Sequence, residues 1–262
     1  NKKKISLTSF EPNGKKQTGS NFKIIKEFFL QDSFRKHKLE NKYDLAIHSH
    51  LFEHIYEPDK FLTLINKSLK KNGLHIFAVP NMLPMIKKGI ASAMNFEHPF
   101  FLSEKLIKEL LLRTGFKIIE KKYYGRNHSI FFKTKKMKNI KNYDIKNSYK
   151  TNSKIFLKLR DIWKKDIKIL NKKIEGKKDV FLFGAHIFSQ MLIFNGLKNK
   201  NISGILDNDK DKQGNYLYGT NFNVFDPKIL KNKKKPIIIL RAGEYNNEIK
   251  KKILNKINKN TL

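Results

Sequence analysis

The sequence predicts an α/β chain of two domains, on three observations. Short runs rich in Ile, Leu, Val and Phe alternate with stretches whose apolar residues recur at helical spacing, the pattern of a mainly parallel sheet covered by helices. Turn and stop residues such as Asn72-Gly73, Pro80 and Gly115 fall between those runs. One long polar stretch, "TKKMKNIKNYDIKNSYKTNS" over 134–153, breaks the alternation and reads as a linker between a domain over 1–133 and a second, smaller unit over 154–262.

The elements follow in order. Ile5 to Phe10 reads as a strand, Phe22 to Leu30 as a helix-to-strand stretch, and Asp44 to His48 as a further strand. From Pro58 the residues Phe61, Leu62, Ile65 and Leu69 keep a helical period that Asn72-Gly73 closes. Leu74 to Val79 is the next strand, stopped by Pro80. Ser103 stands as the N-cap of a helix that runs to Arg113, with Leu106, Ile107, Leu110 and Leu111 on one side and Gly115 as its stop. Strands around Phe116 to Glu120 and Ser129 to Lys133 end the first domain.

Beyond the linker, Phe156, Leu159, Trp163, Ile167 and Leu170 mark an amphipathic helix ending near Gly176. The strand "VFLFG" from Val180, a helix from about His186, the strand "ISGILD", a loop punctuated by glycines, the strand "PIIILR" and a last helix from about Tyr245 complete the second unit. No internal repeat covers both units.

Composition narrows the function classes. At 262 residues and 39% hydrophobic the chain can bury a real core. No apolar stretch approaches the roughly 20 residues of a membrane span, and the first thirty residues hold no signal-peptide core, so the expectation is a cytoplasmic protein. The absence of cysteine removes disulfides, thiolate metal sites and thiol nucleophiles. A formal charge of +33 invites a nucleic-acid reading, yet of 56 basic residues only five, at 35, 113, 126, 160 and 241, are arginine. Phosphate and base recognition favours the arginine fork, and the lysines are spread along the chain, so a solvated basic surface is expected and no nucleic-acid partner.

The stretch "YDLAIHSHLFEHIYEPDKF" spells H-x-x-E-H at His50, Glu53 and His54, a zinc-peptidase spacing. That chemistry needs both histidines on one helical face, and His50 lies at a strand end with Pro58 four residues past His54, so no metal is expected. From Tyr43 to Asn81 the order of strand, acidic-histidine turn, helix, "LKKNG" turn, strand and "PN" instead resembles the region after the fourth strand of class I methyltransferases that use S-adenosylmethionine (SAM). The resemblance implies a partial doubly wound SAM-methyltransferase sheet with SAM as cofactor. It puts Glu11, at the end of the second family strand, on the ribose hydroxyls, Asp32 on the adenine side, and His50 beside the cofactor. The family's glycine-rich loop should precede Glu11 by about 20 residues, so the chain reads as a fragment of a longer protein.

"MNFEHPFFLSEKLIKELLLRTGF" over 94–116 carries a second Glu-His pair and is similar to the "Y-x-E-H … F-S" signature of the three-domain sugar C-methyltransferases. That resemblance places Glu97 and His98 on residues that line the sugar pocket and serve proton transfer, and His54 on a further histidine of the same pocket. Asn95 stands where the family has tyrosine. From Asp179 onward the likeness is to the family's C-terminal Rossmann-like domain, which implies that Gly184 and Asp207 face a nucleotide sugar; the lone Gly184 argues against a nicotinamide cofactor. The family's N-terminal zinc module is not represented.

The expectation is therefore SAM-dependent methyl transfer to a nucleotide-linked or glycan sugar in bacterial surface polysaccharide synthesis, with His98, Glu97 and His54 catalytic. A sugar or nucleotide-sugar substrate is the expected partner, a homodimer is among the expected assemblies, and no membrane partner is expected. The runner-up is a non-catalytic chain that keeps a sugar-nucleotide-binding C-terminal unit.

Overall fold

A computed structural model describes residues 5–14, 21–125, 127–137 and 147–262. The fold is α/β, as the alternation predicts, and the chain forms two compact units. One holds residues 1–79, 99–123 and 129–146, the other residues 80–98, 124–128 and 147–262.

In the first unit, β1 (Leu7–Phe10) and β2 (Phe22–Ile25) pair in parallel with Leu7 opposite Phe22. A four-stranded sheet follows with the order β3 (Tyr43–Ser49), β4 (Leu69–Pro80), β6 (Ser129–Lys136) and β5 (Phe116–Tyr124), in which β3 and β4 are parallel. Among the described residues this unit has the helices α1 (Gln31–Lys36), α2 (Pro58–Ser68) and α4 (Glu104–Arg113). Pro58 opens α2, where its fixed φ suits the first turn and its missing N–H costs nothing. Ser103 caps α4 as expected, its Oγ accepting the Leu106 N–H at 3.2 Å. The core centres on Phe52, Leu62, Leu69, Phe77, Phe116 and Phe132, all fully buried.

Two sequence expectations change here. Asn72-Gly73 does not end an element, because β4 runs through it: Tyr43 pairs with Leu69 but Leu45 with Leu74, so the intervening residues bulge out of the ladder. Asn72 takes the left-handed conformation at φ 66°. A Cβ on Gly73 would stand 2.9 Å from the Lys70 carbonyl oxygen, which explains glycine in so tight a bulge. The stretch Phe22 to Leu30 is strand only as far as Ile25, and the next helix, α1, begins at Gln31.

In the second unit β10 (Ile237–Leu240), β7 (Val180–Phe183), β8 (Ile202–Leu206) and β9 (Val224–Phe225) form a wholly parallel sheet in that order. β7 is buried on both faces, which is why it reads as an unbroken apolar run. Val180 and Leu182 join Ile167, Ile174, Ile205 and Val224 in one cluster, while Phe181 and Phe183 join Leu206, Leu230 and Leu254 in another. The helix α5 (Tyr149–Ile174) is longer than its apolar stripe suggested, and α6 (Ile187–Phe194) begins after His186. With β6 reaching Lys136 and α5 starting at Tyr149, the expected linker shrinks at both ends; 138–146 lies outside the described residues. The last helix, α7 (Asn246–Ile249), passes through a wider π turn at Lys250–Leu254 before a final turn at Asn255–Ile257.

The second unit also takes in α3 (Met82–Lys87) and a 3₁₀ turn at Ala91–Met94, neither marked by periodicity. The helix α3 packs on α5, where the Trp163 Nε1–H donates to the Gly89 carbonyl at 2.9 Å. Gly89 has φ 73°, and a Cβ there would meet Ile162 Cγ2 at 2.9 Å, so glycine is required by both conformation and space. Among the described residues no helix is long and apolar enough to cross a membrane.

Candidate functional site

The carboxyl ends of the parallel strands carry the candidate residues, as open α/β sheets place their ligands. Glu11 directly follows β1, its own N–H donating to the Ile25 carbonyl at 3.0 Å and continuing the pairing with β2. Its side chain is exposed, and among the described residues Oε1 accepts a long 3.4 Å contact from the Asn13 N–H. Such a carboxylate is sterically able to receive the two hydroxyls of a ribose, and the site fits the adenosine end of SAM on that ground. Asp32 lies exposed in the first turn of α1.

His50 ends β3 with φ 48°, an uncommon conformation for a residue with a side chain. It is fixed there because its N–H still donates to the Ala78 carbonyl of β4 at 2.9 Å. The following 3₁₀ turn, Phe52–His54, brings Glu53 back beneath the ring. His50 Nδ1 stands 3.3 Å from Glu53 Oε1, and His50 Nε2 lies 3.4 Å from the Ser129 hydroxyl at the start of β6. The Glu53 side chain is 2% exposed while the His50 ring is 45% exposed. The hydrogen bond to Glu53 holds the His50 pKa above the ordinary imidazole value, against the opposing effect of burial. His50, expected to touch the cofactor, thus has both ring nitrogens facing protein groups. The H-x-x-E-H residues share no α-helical face, so the zinc-peptidase arrangement is not formed here.

In the second unit, Asn95, Glu97 and His98 form a short turn after the Ala91–Met94 segment. The Asn95 amide donates to Glu97 Oε2 at 3.2 Å, and the His98 N–H to the Asn95 carbonyl at 3.0 Å. Asn95, at the family's tyrosine position, therefore orients the exposed Glu97. Glu53-His54 belongs to the first unit and Glu97-His98 to the second.

Asp207 follows β8, and its carboxylate is taken up by protein donors. Oδ2 accepts the Ala185 N–H at 2.8 Å and Oδ1 the Asp209 N–H at 3.0 Å, with Lys212 Nζ 3.6 Å from Oδ2. The cause is the turn after β7, where Gly184 at φ 102° aims the Ala185 N–H at the end of β8. Asp207, expected to face the nucleotide sugar, clasps that turn, and Gly184 stands at its bend. His186, absent from the sequence-derived set, stands at the N-cap position of α6 without a capping hydrogen bond from its side chain. Burial and Lys212 lower its pKa, while Glu97 and Asp207 act to raise it. Lone histidines and serines such as His186 and Ser129 carry no spacing signal, so only folding brings them out.

Comparison with known proteins agrees with this architecture. Residues 2–121 match the family model of a methyltransferase domain, and residues 138–261 that of a C-methyltransferase C-terminal domain. Among solved structures, a candidate SAM-dependent methyltransferase from Listeria monocytogenes is 12% identical with a TM-score of 0.41, covering 51% of this chain and 81% of its own. A SAM-dependent methyltransferase from Mesorhizobium loti is 9% identical at a TM-score of 0.36, covering 46% and 72%. The Burkholderia thailandensis 1,6-didemethyltoxoflavin-N1-methyltransferase, crystallised with 1,6-didemethyltoxoflavin and S-adenosylhomocysteine, is 14% identical at 0.34, covering 45% and 52%. No curated protein matches the chain. The chain is a SAM-dependent methyltransferase, its residues 2–121 similar to a methyltransferase domain and its residues 138–261 to the C-terminal domain of C-methyltransferases.

Proposed function

We propose that the chain methylates a sugar, nucleotide-linked or part of a glycan, in the synthesis of a bacterial surface polysaccharide, working in the cytoplasm. The observation that carries the reading is the pairing of a methyltransferase domain with a C-methyltransferase C-terminal domain in one chain. The Glu-His turn at Glu97-His98, similar to the signature of sugar C-methyltransferases, supports the substrate class.

Bound SAM supplies an electrophilic methyl on its sulfonium. Glu11 would hold its ribose and Asp32 lie toward its adenine. His98, with Glu97 beside it, would take or return a proton at the sugar, and His54 would contribute a further imidazole. Asn95 in place of tyrosine removes a phenolic acid from the proton inventory and leaves an amide that orients Glu97. Gly184 and Asp207 would shape the turn that receives the nucleotide part of the substrate.

The test is a calorimetric titration of SAM and S-adenosylhomocysteine into the chain, followed by a screen of nucleotide sugars for S-adenosylhomocysteine release. Release with one sugar class supports the reading. Cofactor binding with no sugar turned over would move the substrate elsewhere.

A further inference from the structure

His186 presents an exposed imidazole just past the carboxyl end of β7, and methyl transfer by the residues named above leaves it without a role. Methylation at carbon makes a demand those residues do not meet. A sugar carbon becomes a nucleophile where an adjacent carbonyl takes up the electron pair of the broken C–H bond, and the oxygen that gains charge needs a donor. We propose that His186 is that donor, its ring N–H held against the carbonyl oxygen of a keto sugar on the side of the Glu97 turn. The inference rests on the sugar-methyltransferase reading and deepens it, because it specifies a carbonyl next to the methylated carbon.

Placement supports it first. The helix α6, which His186 opens, packs on the Ala91–Met94 turn within the second unit, and Ala91 and Phe188 line one pocket there. Asn95, the residue after that turn, orients Glu97, and the Glu97 carboxylate is near enough to His186 to act on its protonation. The mount beneath the ring is rigid. The His186 N–H donates to the Gly184 carbonyl at 2.9 Å, the His186 carbonyl accepts the Ser189 N–H at 3.0 Å, and the buried Ser189 hydroxyl donates to the same Gly184 carbonyl at 2.6 Å. A donor fixed in this way needs no reorganisation as charge develops.

The ring itself is available. Among the described residues neither of its nitrogens is hydrogen-bonded, and its ring contact is with Phe188, centroids 5.7 Å apart. Burial and Lys212 hold its pKa below the ordinary imidazole value, with Glu97 and Asp207 opposing them, so the ring is neutral at pH 7 and carries one N–H. A neutral imidazole at the start of a helix polarises a carbonyl without surrendering its proton.

In the step, the C–H bond beside the carbonyl breaks, its proton passes to His98 and its electron pair enters the enolate, whose oxygen accepts the His186 N–H. The enolate carbon then bonds to the methyl carbon while the methyl–sulfur bond breaks with its pair staying on sulfur. The carbonyl re-forms, and His98 loses its proton to water.

The experiment uses the full chain, a panel of nucleotide-linked keto sugars and assays of S-adenosylhomocysteine release. His186→Phe keeps a ring of similar size without an N–H and should lower kcat about 100-fold or more, with SAM affinity within about twofold. His186→Gln restores an N–H donor and should recover at least about tenfold over His186→Phe. Wild-type kcat in His186→Phe, or a His186→Gln variant no faster than His186→Phe, overturns the donor while leaving the sugar reading in place. A wild type that turns over no keto sugar removes that reading and this role with it. NMR titration of the chain labelled with 15N-histidine should show the His186 pKa falling in Glu97→Gln; an unmoved pKa overturns the neighbourhood of the two side chains.

Discussion

The Nε2 atoms of His48 and His75 stand 2.9 Å apart across the pairing of β3 with β4, inside the aromatic core of the first unit. His75 stacks on Phe77 with ring centroids 4.6 Å apart, and Phe116 flanks it from β5. Burial pushes the His48 pKa down to about 3 and that of His75 well below the ordinary range, so the pair is neutral in the fold. One imidazole must donate and the other accept, which two imidazolium rings could not do.

Acid should therefore unfold the first unit. The unfolded histidines bind protons below about pH 6.5 and the folded ones do not, so the stability they contribute is full above that pH and lost as pH falls. The expected slope is about 1.4 kcal/mol per pH unit for each histidine between about pH 6 and the folded values. Urea midpoints measured from pH 7.5 to 4.5 check this, and a His48→Phe, His75→Phe double variant should show a shallower dependence. Equal slopes in the two proteins would mean that other groups drive the acid transition.

Asn66 ties α2 to the stop of α4, its buried Nδ2 donating to the Gly115 carbonyl at 3.0 Å. Asn66→Leu removes one of the two donors to that carbonyl, which still accepts the Met137 N–H at 2.9 Å, and should cost about 0.5–1.5 kcal/mol in chemical denaturation. No loss would show that the Met137 N–H alone satisfies the carbonyl.

Glu11→Ala should weaken SAM about 10- to 100-fold by calorimetry, the loss of a charge-assisted bond to each ribose hydroxyl. An unchanged dissociation constant would make Glu11 an ordinary exposed carboxylate capping its own turn.

His98→Ala should lower methyl transfer by 100-fold or more with SAM affinity nearly unchanged, since proton transfer and cofactor binding are separate tasks. Full activity in this variant would remove His98 from the catalytic set.

The sequence by itself determined the α/β class, the helices at Pro58 and Ser103, the strands from Val180 and Ile237, and the position of Glu11 after a strand. Each depends on periodicity, caps and stop residues, which act over a turn or two of chain and leave their mark locally. Tertiary structure decided the rest. Asn72-Gly73 looks like a stop yet is absorbed as a bulge, because β3 offers β4 a ladder on both sides of it. Residues 80–98, adjacent in sequence to the first sheet, join the second unit because α3 finds its apolar partner in α5. The chain Glu53–His50–Ser129 and the pair His48–His75 join residues up to 79 positions apart, and such contacts are chosen by packing and hydrogen-bond satisfaction that no local pattern encodes.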